Sequence, residues 1–277
     1  MRYSKSIFGI YLLFASFSVV FAEDDFGKIE NETLFKPTDI GHQLDEPEPY
    51  LKLNKDGIKV YIFSHKNSAF GTFKAITHIN ASLDSILAVM LDHQSCVEWI
   101  DACKKSLLIK NINFNERYHY QEFHIPFPFK NRDFIFHSTM EHNPLTKAVT
   151  ITMASAPDYC IKKQFEGCKK VNQSQLVRVH KSIGTFILEP DANGIKITWT
   201  QHTDPAGNLP AWLVNQFVKN TPYWTFKNLA KIVKEEQYKF AKLVYDINGV
   251  AVALNNPVKI PEKPSKKTKD FVLYPTF

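Results

Sequence analysis

The last third of this chain limits its fold more than any other part. After a run of short alternating segments, the stretch DPAGNLPAWLVNQF opens at Asp204 and leads into a long apolar-periodic region reaching about Val244. Asp204, Pro205 and Gly207 are turn formers, and Pro210 stands where the first turn of a helix tolerates a missing N–H. Leu209, Leu213 and Phe217 recur at helical spacing, and Phe226, Leu229, Val233, Phe240 and Val244 continue the stripe. At ~1.5 Å per residue such a stretch reaches ~50 Å, longer than a surface helix needs. Pro222 lacks a donor and crowds the preceding turn, which predicts a kink or break there. A sheet with one long helix laid on it either fills the space between them or leaves a cavity.

The termini separate from the rest. Arg2 and Lys5 precede an apolar run from Ile7 to Phe21, and Val20-Phe21-Ala22 has the small-residue pattern of a signal-peptidase site. Residues 1–22 therefore read as a removed signal peptide, short of the ~20 apolar residues a spanning helix wants. An uncleaved anchor is the lesser reading. Residues 23–44 form an N-terminal extension, 45–250 one domain with a sizeable core, and 251–277 a basic C-terminal tail rich in Pro, Lys and Thr. Losing residues 1–22 lowers the formal charge from +6 to +4, which suits transient contact with an anionic membrane surface but not nucleic acid. The 13% aromatic content, mostly Phe, favours a large apolar interior over a platform for stacked bases. Export places the protein in the periplasm or outside the cell, as a monomer.

Four cysteines fit that compartment. They allow three connectivities, among which spacing alone does not choose; pairing Cys96 with Cys103 and Cys160 with Cys168 asks for the least rearrangement of the chain. Neither pair has the spacing of a zinc site, and no cofactor or metal is expected. The second pair would staple a hairpin tip. Asn31, Asn80 and Asn172 each begin an N-x-[ST] triplet, a pattern common by chance.

Within the domain, Ile58–Phe63 and Phe70–Ile79 read as strands across a turn at Lys66-Asn67-Ser68. Ser82 is a fair N-cap for a helix through Leu83, Ile86, Leu87 and Met90. Leu107–Asn113, Arg117–Ile125, Phe134–Glu141, Val149–Ala154, Val177–Leu188 and Ile195–His202 alternate as strands, with Asn193-Gly194 as a hairpin signal. Helices segregated from an antiparallel strand run make the class α+β.

Three segments carry a resemblance: HIPFPFKNRDF (124–134), LVRVHKSIGTFIL (176–188) and DPAGNLPAWLVN (204–215). In this order they resemble the successive signatures of the START family of lipid-transfer domains, over about residues 50–245. The resemblance implies a helix-grip fold, a curved antiparallel sheet wrapped around the C-terminal helix over one lipid-sized tunnel. It also implies non-enzymatic binding and transfer of an apolar molecule. Phosphatidylcholine-carrying members place an arginine and an aspartate around the Trp after the short helix. Here the stretch is SCVEWID, with Cys96 and Ile100 at those positions. The phosphate would lose its charge-assisted partner, so a sterol, neutral lipid or fatty acid is expected instead.

Strand alternation assigns the wall of such a tunnel. If Phe134 and Phe136 face the helix, so do Ser138 and Met140, while His137 faces out. His119, Gln121 and Phe123 share the inner face of the preceding strand, with His119 or Gln121 as a polar handle. Val149, Ile151 and Met153 follow, then Ser182, Gly184 and Phe186, where Gly184 leaves room. Leu213, Val214 and Phe217 close the cavity from the helix. By residue type alone these are ordinary core positions; the resemblance makes them a cavity wall. Arg132, Asp133 and Arg178 read as structural ion pairs or turn anchors, and Trp99 as packing at the domain edge.

Two alternatives belong to other classes. One is a helix-grip enzyme of cyclase or hydrolase type, for which His119, His124, His137 and His142 with Glu122 and Glu141 are the best constellation, although strand parity scatters them. No G-x-S-x-G, H-E-x-x-H, P-loop or dinucleotide motif is present. The other is a lipid-sensing interaction module that docks through the basic tail.

Overall fold

A computed structural model describes residues 49–65, 68–162, 168 and 175–256. The signal-peptide and extension readings, the Lys66-Asn67 turn, Asn31, Asn172 and the tail from 257 onward lie outside these residues.

Strands β1 (Tyr50–Lys55), β2 (Ile58–His65) and β3 (Ser68–Ile79) come first, then helix α1 (Leu83–Leu91), a 3₁₀ turn at His93–Ser95 and short helix α2 (Cys96–Trp99). The meander β4 (Cys103–Asn113), β5 (Glu116–Phe123), β6 (Arg132–His142) and β7 (Val149–Ser155) leads to a short helix, α3 (Tyr159–Lys162). After β8 (Val177–Arg178), β9 (Lys181–Asp191) and β10 (Gly194–Asp204) comes α4 (Ala211–Ile232). A short α5 (Glu236–Lys239) and the hairpin β11 (Lys242–Tyr245) and β12 (Ala251–Asn255) end the described chain. The large sheet runs β1-β2-β3-β10-β9-β7-β6-β5-β4, antiparallel throughout that path, with β8 parallel to β6. The class is α+β and the fold a helix-grip, with α4 packed on β2, β3 and α2.

Local chemistry explains the main boundaries. The Ser82 hydroxyl accepts from Ser85 N at 3.1 Å and so caps α1, and Asp84 in the first turn complements the helix N-terminus. The β9–β10 hairpin turns at Ala192-Asn193, and Asn193 N donates to Asp191 Oδ1. Gly194 follows at φ +136°, and a Cβ there would stand 2.3 Å from the Ile79 carbonyl oxygen, which no side chain tolerates.

The end of the chain corrects the sequence reading. The helix stops at Ile232 instead of Val244; Glu235 turns extended, Tyr238 is buried with its hydroxyl donating to Asp92 Oδ2, and Val244 lies in β11. The apolar period persists past Ile232 because Tyr238 in α5, Ala241 after it and Leu243 in β11 still face the core, from backbone that is no longer part of α4. Residues 251–255, read as tail, are strand β12. Pro222 does not break α4, which runs through it.

The main core gathers α1, β2, β3, β9, β10 and the inner face of α4 around Leu87, Ile197 and Leu229. A second cluster of Ile109, Tyr120 and Ile135 lies on the opposite face of the sheet under Tyr159, Cys160 and Cys168. That cover explains why β6 is buried on both faces at its start. Both disulfides are present, Cys96–Cys103 joining α2 to β4 and Cys160–Cys168 closing the α3 segment.

Candidate functional site

Between the sheet and α4 lies a cavity of about 230 Å³, more than ten times the ~10–15 Å³ that one water needs. Its wall is set by strand parity. On β5, His119, Gln121 and Phe123 point inward; on β6, Phe134, Phe136, Ser138 and Met140; on β7, Ile151 and Met153; on β9, Phe186. The helix contributes Val214, Phe217, Val218 and Thr221, an i, i+3, i+4, i+7 stripe. The phenyl rings of Phe134 and Phe136 stack at 5.0 Å and Phe123 meets Phe134 edge-on at 5.4 Å, so one side is a continuous aromatic surface.

Three residues expected on the wall are not there. Leu213 is fully buried but points aside, one residue and about 100° from Val214 on the helix. Ser182 is 5% exposed and engaged with Thr203 and the Gln201 amide. Gly184 faces inward, but the room it leaves is taken: a Cβ would stand 1.9 Å from Gln201 Oε1, its cross-strand partner. Gln201 reaches the cavity instead, held by Trp199 Nε1 and Ser182 Oγ.

Other wall residues come from places the strand pattern did not single out. The α1–α2 segment supplies Met90, His93, Cys96, Trp99 and Ile100. Trp99, expected at the edge, is core. Ser106 on β4, Asn115 in the β4–β5 turn and Arg117 on β5 add polar groups. Arg117 shares the parity of His119, so alternation alone would have found it; the α1–α2 segment is too short to show a period.

The polar groups fall into two sets. Near the start of α4, Arg132 is 4% exposed and its guanidinium donates to the carbonyls of Lys130, Pro205 and Ala206 at 2.6, 3.0 and 2.8 Å. At the opposite end of β5, Ser138 Oγ lies 3.3 Å from His119 Nδ1, and the His119 and His93 rings are 5.1 Å apart. Burial, reinforced by the nearby Arg117 cation, lowers the His93 pKa to about 4, and burial drives His119 well below its ordinary value. Both imidazoles are neutral at pH 7. Beneath the helix, burial pushes the Asp101 carboxyl up to about 7, opposed by a hydrogen bond from the Thr221 hydroxyl.

The four histidines of the enzymatic alternative do not converge. His119 faces the cavity, His124 follows β5 in a loop, His137 faces away and meets Glu116 at 2.8 Å, and His142 lies against Tyr245. Glu122 is tied to Asn131 and Lys104, and Glu141 is exposed. Among the described residues no group of three His, Cys, Asp or Glu is placed to hold a metal. No described helix is long and apolar enough to cross a membrane.

A family model described as START domain matches residues 52–239. The crystal structure of a STAR-related lipid transfer protein from Xanthomonas axonopodis superposes with a TM-score of 0.59 at 30% identity, covering 68% of this chain and 99% of that one. An uncharacterised protein of Pseudomonas aeruginosa is 29% identical over 180 residues, 65% of this chain and 83% of its own. The phosphatidylcholine transfer protein of Rattus norvegicus is 24% identical over 189 residues, 65% of this chain and 81% of its own.

Proposed function

Because this chain belongs to the START domain family, we propose that it carries one apolar lipid in the cavity under α4 and exchanges it with membranes without chemical change. The observation that carries this reading is the cavity itself, about 230 Å³ walled by Phe123, Phe134, Phe136, Ile151, Val214 and Phe217. Hydrophobic burial gives such a wall its affinity, at ~25 cal/mol per Å² of apolar surface removed from water.

The lipid is a sterol, another neutral lipid or a fatty acid in preference to phosphatidylcholine. Cys96 and Ile100 occupy the wall where the phosphatidylcholine-carrying pattern has its charged pair, and Cys96 is committed to a disulfide. Entry and exit run past the start of α4. There Trp212 is 57% and Phe127 95% exposed, and Arg132 ties their two loops together, so both rings can meet a bilayer at once. The two disulfides suit an oxidising compartment, in keeping with export by residues 1–22.

Native mass spectrometry of the protein purified from its own cell tests the reading. A single co-purifying lipid, lost in a Val214→Trp variant that still melts cooperatively, is the expected result. A protein that binds no lipid and moves none between vesicles would refute it.

A further inference from the structure

The polar groups on the cavity wall differ in one respect that the lipid-carrying reading does not use. Around the start of α4 they have protein partners: Arg132 has three carbonyl acceptors, and the Gln201 amide meets Ser182, Thr203 and Trp199. At the other end of β5 they do not. His93 Nε2, Ser106 Oγ and Asn115 Oδ1 are buried, line the cavity and have no hydrogen-bond partner. Buried polar atoms are almost always paired, so these orphans point to a missing polar partner; His93 Nε2 and Ser106 Oγ can donate to it, whereas Asn115 Oδ1 only accepts.

Arg117 stands among them. Among the described residues its one acceptor is the Phe114 carbonyl, and no carboxylate pairs with it. A guanidinium carries five N–H donors in a fixed fork, most of them here unmatched. The neighbouring imidazoles are held neutral, partly by Arg117 itself, so they add no charge of either sign. Asp92, also on the wall, accepts from the Tyr238 hydroxyl and Gln94 N, and it forms no ion pair with Arg117. This end of the cavity therefore holds a cation without a counter-ion in a site of low polarity, where an anion is favoured far more than in water.

Resting on the lipid-carrying reading, we infer that the ligand is a lipid with a compact anionic head, a carboxylate or a phosphate monoester, seated on Arg117. Ser106 Oγ donates a second hydrogen bond, and His93 Nε2 a third in the tautomer that protonates it. The acyl tail runs along Phe136, Phe134 and Phe123 toward the start of α4. A sterol hydroxyl could donate to Asn115 Oδ1 and accept from the neighbouring donors, but it carries no charge to offset the Arg117 cation.

Three ligands of equal chain length isolate the head group: palmitate, hexadecyl phosphate and hexadecanol, titrated into the delipidated full chain by calorimetry at pH 8. At least one anion is expected to bind ten-fold or more tighter than the alcohol, and which of the two does so names the head. Arg117→Gln should remove that preference, bringing the tighter anion to within about two-fold of hexadecanol, and Arg117→Lys should keep part of it; a cooperative thermal transition shows that each variant is folded. Equal binding of all three by the wild type, or an undiminished preference in Arg117→Gln, overturns the inference and leaves the lipid-carrying reading intact. Binding of none of the three overturns the inference, and the lipid-carrying reading falls with it only if the protein also co-purifies with no lipid and moves none between vesicles. If Arg117→Gln does not fold, the wild-type comparison alone decides.

Discussion

Arg178 donates from Nε and Nη2 to the two carboxylate oxygens of Asp133, at 3.0 and 2.7 Å, across the parallel pairing of β8 with β6. Asp133 is fully buried, and the third arm of Arg178 reaches the Pro157 carbonyl. The adjacent Arg132 points to the opposite face and holds Pro205 and Ala206. Three sequence segments separated by dozens of residues are thus fastened to one another by neighbouring side chains of a single strand.

Breaking the inner fastening should be expensive. Asp133→Asn leaves the Arg178 guanidinium buried without its counter-charge, a loss of about 3–5 kcal/mol for pairs of this kind. Urea unfolding of the single variants and of Asp133→Asn/Arg178→Met is the check. The double variant is expected to be more stable than Asp133→Asn alone; strictly additive losses would show that the pair is not coupled.

Breaking the outer fastening should affect exchange of the ligand more than the fold. Arg132→Met frees the Pro205 and Ala206 carbonyls, for about 1–3 kcal/mol. It should raise amide hydrogen exchange through residues 204–212 and speed transfer between vesicles. Unchanged exchange rates in that segment would argue that it does not open. Conversely, an engineered disulfide tying the first turns of α4 to the sheet should stop transfer while retaining lipid loaded beforehand.

The buried ionisable groups predict opposing pH dependences. Burial raises the Asp101 pKa to about 7, so between pH ~4 and 7 the folded state holds a proton that the unfolded state has released, and stability falls as pH rises. Burial lowers His93 to about 4 and His119 well below its usual value, so from pH ~6.5 downward the unfolded state takes up protons that the folded state refuses, and stability falls as pH falls. Each group contributes a slope of at most ~1.4 kcal/mol per pH unit. Asp101→Asn removes one side of the balance and should steepen the loss of stability from pH 6.5 to 4.5 in denaturant titrations. A pH profile identical to wild type would mean that Asp101 ionises normally.

Gly184 predicts a local effect different from that of an open cavity wall. Gly184→Ala drives the Gln201 amide off its bonds with Ser182 and Trp199, because Oε1 occupies the place of the new Cβ. The far end of a flexible side chain moves cheaply, so a loss of about 1–2 kcal/mol is expected, together with weaker ligand binding as Gln201 swings into the cavity. Binding and melting temperature both at wild-type levels would show that Gln201 has somewhere else to go.

The sequence by itself determined most of the strands, their alternation and their order up to α4; it missed β1 and ran β8 and β9 together as one strand over Val177–Leu188. These rest on local matters: which residues tolerate a turn, which side of a pleat each side chain takes, and where a helix can start. Ten of the wall residues on β5, β6, β7 and β9, His119 through Phe186, share the face that strand parity assigns once Phe134 and Phe136 point at the helix, and the family resemblance marked that face as a cavity wall. The tertiary structure alone decided the rest. It ended α4 at Ile232, since Tyr238, Ala241 and Leu243 go on facing the core after the backbone has left the helix and so extend the same apolar pattern. It filled the space at Gly184 with a side chain from the neighbouring strand, a matter of which residue stands opposite. It also brought His93, Ser106, Asn115 and Arg117 to one end of the cavity. A sequence shows that a residue is polar and which way its strand faces it; whether that residue finds a partner depends on everything else that folds around it.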